Sequence, residues 1–257
     1  MVARIEGALA SWYAPGARWA TAPGSGFALG PFVLEEPIGQ GAMGAVWSAR
    51  HTTQHVRVAI KVLHPPSASS DAEEFLAAFR TEVRAVAGLD HPNVVQVLDH
   101  GTVPSGGPPG SGLAEGMPWL AMELVDGGTL SARRGRMAWP ELRAVVLGLL
   151  DALAHAHARG VVHRDLKPGN VLLADGRPKL ADFGLATLSD LVARGDGPFL
   201  AGSGTPTYMA PEQFERRWRD FGPWTDLYEL GVVVWVLASG GPPFRVRGFE
   251  PAMRAHL

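Results

Sequence analysis

The sequence predicts an α+β fold in two parts, with antiparallel strands and one helix in the first part and mainly helices in the second. Short β-branched runs separated by turn residues lie between Phe32 and Leu63, a pattern typical of an antiparallel meander. After Pro140 the apolar residues recur at helical spacing instead. The order of these two periodicities along the chain indicates the fold class.

The composition narrows the class of protein. The chain has 257 residues, of which 46% are hydrophobic and 19% charged, as is ordinary for one large domain or two lobes. The formal net charge of −2 does not indicate the basic surface that nucleic-acid binders carry, so we expect no nucleic-acid partner. Because cysteine is absent from the sequence, disulfides, thiolate zinc sites and cysteine nucleophiles are excluded.

The sequence also bears on location. Met1 to Glu6 lacks the basic start and apolar run of a signal peptide. The longest apolar stretch, Leu230–Ala238, falls short of the roughly 20 residues that cross a bilayer. Because a chain without cysteine also suits a reducing compartment, we expect no membrane segment and a cytoplasmic location.

Three segments are predicted along the chain. Residues 1–30 are rich in Ala, Gly and Pro without a sustained period, which predicts a flexible N-terminal segment. Residues 31–126 form the predicted first lobe. The break at Gly127-Gly128 then starts the second lobe, residues 127–257.

One helix follows the meander in the first lobe. Ser70 and Glu73 can form a capping box at its start. Phe75, Phe79 and Val86 then fall on one face at helical spacing, which predicts the side that packs on the sheet. Two more strands follow, Val94–Leu98 and Trp119–Val125, joined by a Gly/Pro-rich loop.

Two long helices are predicted in the second lobe. Pro140 opens and Gly160 closes the first of them. The second, Asp226–Ser239, follows Thr225 as its expected cap. Because this helix is apolar nearly all round, we expect it to be buried at the centre of the lobe.

A glycine motif lies in the first hairpin of the meander, with Gly39, Gln40, Gly41 and Gly44 as its candidate phosphate-binding residues. By itself such a triplet is better interpreted as a glycine-rich hairpin. A dinucleotide-binding motif would open a helix after the glycines, whereas here a strand follows. Strands on both sides favour a flap over ATP phosphates.

Lys61 ends an apolar strand, and a snorkelling edge lysine is the plain alternative for such a residue. Glu82, however, falls on the apolar stripe of the following helix, where a carboxylate is costly unless a cation meets it. We therefore predict a Lys61–Glu82 pair that holds the lysine against the ATP phosphates. Glu73 and Glu74 are rival partners, but Glu73 serves the cap and Glu74 lies off the stripe.

The most informative segment runs from His163 to Asn170 and is followed by Asp182-Phe183-Gly184. Phosphoryl transfer needs an Asp to accept a hydroxyl proton, a Lys to hold the transferred phosphate, and oxygen ligands for magnesium. Asp165, Lys167, Asn170 and Asp182 supply these groups in that order. His163 and Phe183 are predicted to be packing residues, and His155 and His157 to be ordinary helix positions.

These motifs resemble those of the eukaryotic-like serine/threonine protein kinases, most closely the bacterial ones, over residues 32–245. Gly204 to Glu212 is similar to the family segment that shapes the peptide-substrate site, with Thr205 near the catalytic Asp. The resemblance implies a two-lobed protein-kinase-like fold, ATP and Mg²⁺, a role in signalling, and protein substrates with Ser or Thr acceptors. Lys167 is the residue that implies Ser/Thr rather than Tyr specificity.

The resemblance also implies the adenine site. Backbone groups of Glu123 and Val125 would bind the adenine edge, with Met122 as gatekeeper. The ring would lie between three apolar side chains, those of Val46, Ala59 and Leu172.

Two departures from the family pattern stand out. The family fold continues with further helices after Pro242-Pro243-Phe244, whereas this sequence ends at Leu257, so we expect an incomplete second lobe and Glu212 without its usual arginine partner. Residues 190–202 contain no Ser, Thr or Tyr, which argues against activation by phosphorylation there. We hypothesise that Asp196 gives Arg164 a permanent substitute for a phosphate.

Two other functions stay open on the sequence alone. A non-catalytic ATP-binding or interaction module would fit a shortened second lobe. A small-molecule kinase of the same fold is a further alternative, disfavoured by the segment from Gly204 to Glu212. The sequence leaves the oligomeric state and the physiological substrate undetermined.

Overall fold

The chain was analysed as a computed structural model, which describes residues 24–41, 44–65, 69–183, 206–215, 217–246 and 248–257. It folds into two lobes. The first lobe holds six strands, β1 (Ala28–Leu29), β2 (Phe32–Gly41), β3 (Gly44–His51), β4 (Arg57–Leu63), β5 (Val97–Thr102) and β6 (Pro118–Glu123), with helix α1 (Ser69–Ala87). The second holds β7 (Val171–Ala174), β8 (Arg177–Leu180), α2 (Trp139–His157), α3 (Pro211–Phe214), α4 (Pro223–Ser239) and α5 (Phe249–His256).

The sheet of the first lobe has the order β1-β2-β3-β4-β6-β5, and every neighbouring pair is antiparallel. The predicted meander is therefore confirmed. Alternation along the strands divides their apolar side chains between two clusters, one under α1 and one on the other face of the sheet. The cluster under α1 also receives residues of the second lobe, so it lies where the two lobes meet.

The last part of the predicted N-terminal segment, residues 1–30, has defined secondary structure. Residues 24–29 form a turn and the strand β1, whose Leu29 is fully buried. The Gly26 amide donates to the Leu34 carbonyl at 2.7 Å, and positive φ angles at Gly24 and Gly26 allow the turn. Residues 1–23 lie outside the described residues.

The later strands are displaced from their predicted positions. Strand β5 begins at Val97 and runs to Thr102, into the predicted loop. Val94 instead forms an isolated parallel bridge with Leu180 of β8, which ties the first lobe to the second. The predicted stripe of α1 is confirmed, since Phe75, Phe79 and Val86 are buried. The side chain of Ser70, one of the two residues of the proposed capping box, is not described, whereas that of Glu73 is exposed.

Helix α4 forms the centre of the second lobe but differs from its prediction. It begins at Pro223, and Thr225 lies inside it, where its Oγ1 accepts the Gly222 amide at 3.2 Å. One face is exposed: within the described residues Trp224, Leu227 and Trp235 are 59%, 49% and 54% accessible. The opposite face packs on α2 and carries two buried carboxyl groups that support the candidate site.

Helix α5 was not predicted from the sequence. It follows the predicted central helix and packs its Ala252 against Met209 and Phe214. Among the helices of the described residues, none is both long and apolar enough to cross a bilayer.

Candidate active site

Helix α4 holds the segment around Asp165 by its main chain. The Asp226 carboxylate, fully buried, accepts the amides of His163 and Arg164 at 2.9 and 2.8 Å. His157 of α2 lies on the other side, with its Nε2 2.6 Å from the same carboxylate. A buried carboxylate that loses one of its partners becomes a costly unpaired charge. These contacts therefore hold the segment rigidly.

A second carboxyl group of α4 supports the next residue. Glu229, 2% exposed, accepts the Leu166 amide through Oε2 at 2.7 Å. Burial, with the nearby charge of Asp226, raises the pKa of Glu229 well above its usual range. Gln213 of α3 hydrogen-bonds this carboxyl group and donates to the Arg164 carbonyl at 2.8 Å. Helix α3 and the candidate catalytic segment are thus joined through Gln213.

Two residues of the site have left-handed backbone conformations without being glycine. Arg164 has φ 66° and Asp182 has φ 63°. Such conformations cost on the order of 1–3 kcal/mol and persist only where surrounding contacts hold them. Here the Asp226 carboxylate holds Arg164, and the Ala181 amide donates to the Asn170 carbonyl at 2.8 Å just before Asp182.

Asp165, Lys167 and Asn170 form one cluster. Lys167 Nζ lies 2.7 Å from Asp165 Oδ2, and Asn170 Nδ2 donates to the same oxygen at 3.0 Å and to the Asp165 carbonyl at 2.8 Å. Burial lowers the pKa of Lys167, but the charge and hydrogen bond of Asp165 outweigh it and raise that pKa above its usual value. The side chain of Asp165 is 20% exposed, so a hydroxyl group can reach it.

Lys61 pairs with Asp182 rather than with the predicted partner. Its Nζ lies 2.7 Å from Asp182 Oδ1, and the two side chains are 3% and 15% exposed. Burial raises the pKa of Asp182, but the Lys61 charge and hydrogen bond outweigh it and hold that pKa below its usual value. Among the described residues no ion pair joins Lys61 to Glu82, which is half-buried beside Val83. The predicted pair is not formed here because Asp182 meets the charge of Lys61.

Oxygen ligands for a divalent cation lie beside this pair. Asn170 is 3% exposed and uses its Nδ2 towards Asp165, which leaves its Oδ1 for another partner. Asp182 lies across the β7–β8 hairpin, after the last strand pair Val171–Leu180. An amide oxygen and a carboxylate are hard ligands of the kind that Mg²⁺ prefers, so these residues fit the ion.

The predicted adenine residues come together from both lobes. Val46 of β3, Ala59 of β4, Met122 of β6, Val125 and Leu172 of β7 belong to one buried cluster. Met122 also lines a cavity of about 20 Å³, together with other apolar side chains and Asp182. These buried apolar side chains meet at the junction of the lobes, and they are the residues that the resemblance places around the adenine.

The segment that joins the lobes follows β6 and contains the main-chain groups predicted to bind the adenine edge. Glu123 has its side chain turned to Lys179 Nζ at 2.7 Å and to the Gln96 amide at 2.8 Å. Within the described part of the chain, the main chain of Val125 makes no hydrogen bond to another residue, so its N–H and C=O are available to a ligand. Gly127 comes two residues after Val125, and a Cβ at this position would lie 2.1 Å from the Leu173 carbonyl oxygen.

The glycine motif forms the β2–β3 hairpin. Gly39, Gln40 and Gly41 pair with Val46, Ala45 and Gly44 respectively. Gly44 has φ 149°, and a Cβ there would lie 1.9 Å from the Val62 carbonyl oxygen. The fold therefore requires glycine at this position whatever the hairpin binds. The tip, residues 42–43, lies outside the described residues.

Comparison with known proteins decides the family. The profile of the protein kinase domain matches residues 32–255. The chain belongs to the protein kinase family. It is 38% identical over 238 residues to the serine/threonine-protein kinase Pkn1 of Myxococcus xanthus, covering 90% of this chain and 32% of that protein. It is 37% identical over 233 residues to the serine/threonine-protein kinase PknA of Mycobacterium tuberculosis, covering 89% of this chain and 51% of that protein.

A solved structure supports the fold of this protein kinase domain. The PknI kinase domain of Mycobacterium tuberculosis, a C20A mutant, superposes with a TM-score of 0.63 and 30% identity. The match covers 86% of this chain and 78% of the other. The two-lobed kinase fold predicted from the sequence is confirmed. The chain spans only 32% and 51% of the two curated relatives named above.

Several predicted residues of the kinase domain can now be placed. His163 and Phe183 are buried with ring centroids 4.7 Å apart, which confirms the packing prediction. Glu212 accepts the Thr225 hydroxyl at 2.6 Å, so it has a partner within this chain. Thr205, Gly184 and Asp196 lie outside the described residues, and the hypothesis of an Asp196–Arg164 contact stays a prediction.

Sequence reasoning missed three supporting residues of the kinase site. His157 was treated as an ordinary helix position, yet it contacts Asp226. Glu229 and Lys179 were not singled out, although each contacts a predicted site segment. A carboxyl group in the apolar run of α4 was the available signal for Glu229, because an ionisable group on a buried helix face needs a partner.

Proposed function

We propose that this chain is an ATP-dependent protein kinase that transfers the γ-phosphoryl group of ATP to Ser or Thr hydroxyls of protein substrates. The observation that carries the proposal is the cluster of Asp165, Lys167 and Asn170 on one rigid segment, with the Lys61–Asp182 pair beside it. Positioned carboxylate, ammonium and amide groups are what phosphoryl transfer requires. The similarity to bacterial serine/threonine-protein kinases supports the same activity.

In this proposal Asp165 orients the acceptor hydroxyl and accepts its proton as the oxygen attacks the γ-phosphorus. The bond from that phosphorus to the bridging oxygen breaks, and ADP leaves. Lys167 offsets the negative charge on the transferred group, which is spread over its equatorial oxygens. The low exposure of this cluster strengthens these interactions relative to water.

ATP would place its adenine between Val46, Ala59 and Leu172, which belong to one buried cluster, with its edge at Val125 and Met122 behind the ring. The glycine hairpin would cover the phosphates. Asn170 and Asp182 would hold Mg²⁺, which when bound neutralises phosphate charge. Lys61 would bind the α- and β-phosphates.

In this nucleotide-bound arrangement Glu82 would pair with Lys61. Once Asp182 ligates a metal ion, its carboxylate no longer belongs to Lys61 alone, and a buried ammonium still requires a carboxylate. Glu82 is half-buried on α1, whose Val83 belongs to the same buried cluster as Ala59 and Leu63 of the strand carrying Lys61. Glu82→Gln should therefore lower the transfer rate while sparing the fold. An unchanged rate would remove Glu82 from the site.

The test of the proposed function is transfer of labelled phosphate from ATP to a Ser/Thr protein, with nucleotide binding measured in parallel. Transfer that depends on Mg²⁺ and is lost in Asp165→Asn supports the kinase. Binding of ATP without transfer would support the non-catalytic module instead. Transfer only to small molecules would support the small-molecule kinase.

We also propose that the reaction takes place in the cytoplasm, where ATP is supplied. The absence of cysteine from the sequence supports this location. A fusion of the full gene product to a reporter that is active in one compartment only would test it.

A further inference from the structure

Tyr208 lies between two cationic side chains at the edge of the proposed kinase site. Arg134 donates to Tyr208 Oη at 3.3 Å. Burial raises the pKa of Tyr208, while the charges of Arg134 and Lys167 act in the opposite direction. Both cations therefore lie close enough to act on one phenol, and Lys167 is itself bound to Asp165. Arg134 is thus linked to the residue proposed to accept the proton through Tyr208 and Lys167.

The main chain that carries Arg134 is held tightly. The residue follows the 3-10 turn Leu130–Arg133 directly, and the next amide, of Gly135, donates to the Leu237 carbonyl of α4 at 2.8 Å. Gly135 has φ 61°, and a Cβ there would lie 2.8 Å from Gly240 Cα. Because the backbone is fixed against the end of α4, the guanidinium group starts from a defined position at low entropic cost.

The charge of Arg134 is not neutralised within the described part of the chain. Arg133 pairs with Glu141, but no ion pair of the described residues includes Arg134 or Arg136. Glu212, the carboxylate of the segment that includes Tyr208, accepts the Thr225 hydroxyl. An exposed guanidinium group with only a phenol as partner can still bind a carboxylate through two parallel hydrogen bonds.

We propose that Arg134 makes the kinase select protein substrates that carry an Asp or Glu side chain close to the acceptor Ser or Thr. This inference rests on the proposed function. A peptide whose hydroxyl reaches Asp165 would lie beside Lys167, and Tyr208 lies close enough to feel the charges of both Lys167 and Arg134. A side chain next to the acceptor would therefore come within reach of Arg134. A carboxylate there is attracted, whereas Lys or Arg in the same place is repelled, which provides selection in both directions.

The experiment uses peptides with one Ser acceptor and a single Glu placed in turn at each of the four positions on either side. The matched control peptides carry Gln at the same places, which keeps the shape and removes the charge. KM and kcat are measured for each pair. We expect about a fivefold lower KM for Glu than for Gln at one or two positions, as for a single partly exposed charge pair. The difference should shrink with added salt.

Arg134→Gln should bring the Glu-to-Gln ratio of KM values close to one, and Arg134→Lys should retain part of it. Arg177→Gln is the control, because Arg177 is exposed at the turn end of the β7–β8 hairpin, away from the Val171–Leu180 end. It should keep the parent ratio. Equal KM values for the two peptides in the parent, or an unchanged ratio in Arg134→Gln, would overturn the proposal.

Peptide binding separates this proposal from the proposed function. Fluorescently labelled peptides with Ala in place of the acceptor are titrated against the parent and Arg134→Gln, and anisotropy is measured. If the Glu peptide binds more tightly, this difference depends on Arg134, and no phosphate is transferred to the Ser peptides, the role of Arg134 is supported and the kinase activity is rejected. Transfer without any preference at either readout would support the activity and reject the role of Arg134.

Discussion

Replacing Glu229 by leucine tests whether a carboxyl group of α4 holds the catalytic segment. The substitution nearly preserves side-chain volume but removes the acceptor of the Leu166 amide, which lies 2.7 Å from Oε2. A buried amide without a partner costs about 1–3 kcal/mol. We therefore expect the free energy of unfolding to fall by about that amount, as measured by urea denaturation followed by tryptophan fluorescence.

The same substitution should affect transfer more than nucleotide binding. Leu166 lies between Asp165 and Lys167, so a displaced main chain moves the groups that act on the acceptor. The residues predicted to bind adenine do not belong to this segment. We expect kcat to fall by about tenfold and the KM for ATP to change little, since small misplacements of reacting groups are costly. Glu229→Gln keeps an acceptor oxygen and should restore most of both quantities.

The pH dependence of stability gives a second readout. The pKa of Glu229 is higher in the folded chain than in the unfolded one, because of burial and the charges of Asp226 and Asp165. The folded state thus binds more protons between the two values, so this group makes the free energy of unfolding fall as pH rises through that window. Glu229→Gln should remove this slope. The reasoning is refuted if Glu229→Leu matches Glu229→Gln in stability and kcat, or if the slope is unchanged in Glu229→Gln.

Three further outcomes are expected. Asp165→Asn should reduce transfer to a Ser/Thr protein substrate by on the order of 10² to 10⁴ and spare ATP binding, since Asp165 acts on the hydroxyl; a parental rate would contradict its role. Asp182→Asn should weaken Mg²⁺-dependent ATP binding more than Asn170→Ala does, because a carboxylate supplies charge; calorimetric titration that finds equal or unchanged affinities would count against it. Phosphatase treatment should change activity little, because residues 190–202 contain no hydroxyl side chain; a large loss mapped by mass spectrometry to Ser203 or Thr207 would restore a phosphorylation switch.

The chemistry of the site could be predicted from the sequence because most of it lies in one short stretch. Asp165, Lys167, Asn170 and Asp182 belong to a loop and the following hairpin, whose spacing follows from strand pairing. The meander and the long helices were also predictable, because the alternation of apolar residues reflects which face is buried. The glycine motif could also be recognised from the sequence, because it too lies within one short stretch of the chain.

What packs against that stretch was decided only by the tertiary structure. Asp226 and Glu229 contact main-chain amides 62 to 63 residues earlier, and Lys61 meets Asp182 rather than Glu82. Periodicity indicates that a helix face is buried, but it does not indicate which segment meets that face. The partner of a buried charge depends on which oppositely charged group the completed fold brings nearest, and that is a property of the packed chain rather than of spacing along the sequence.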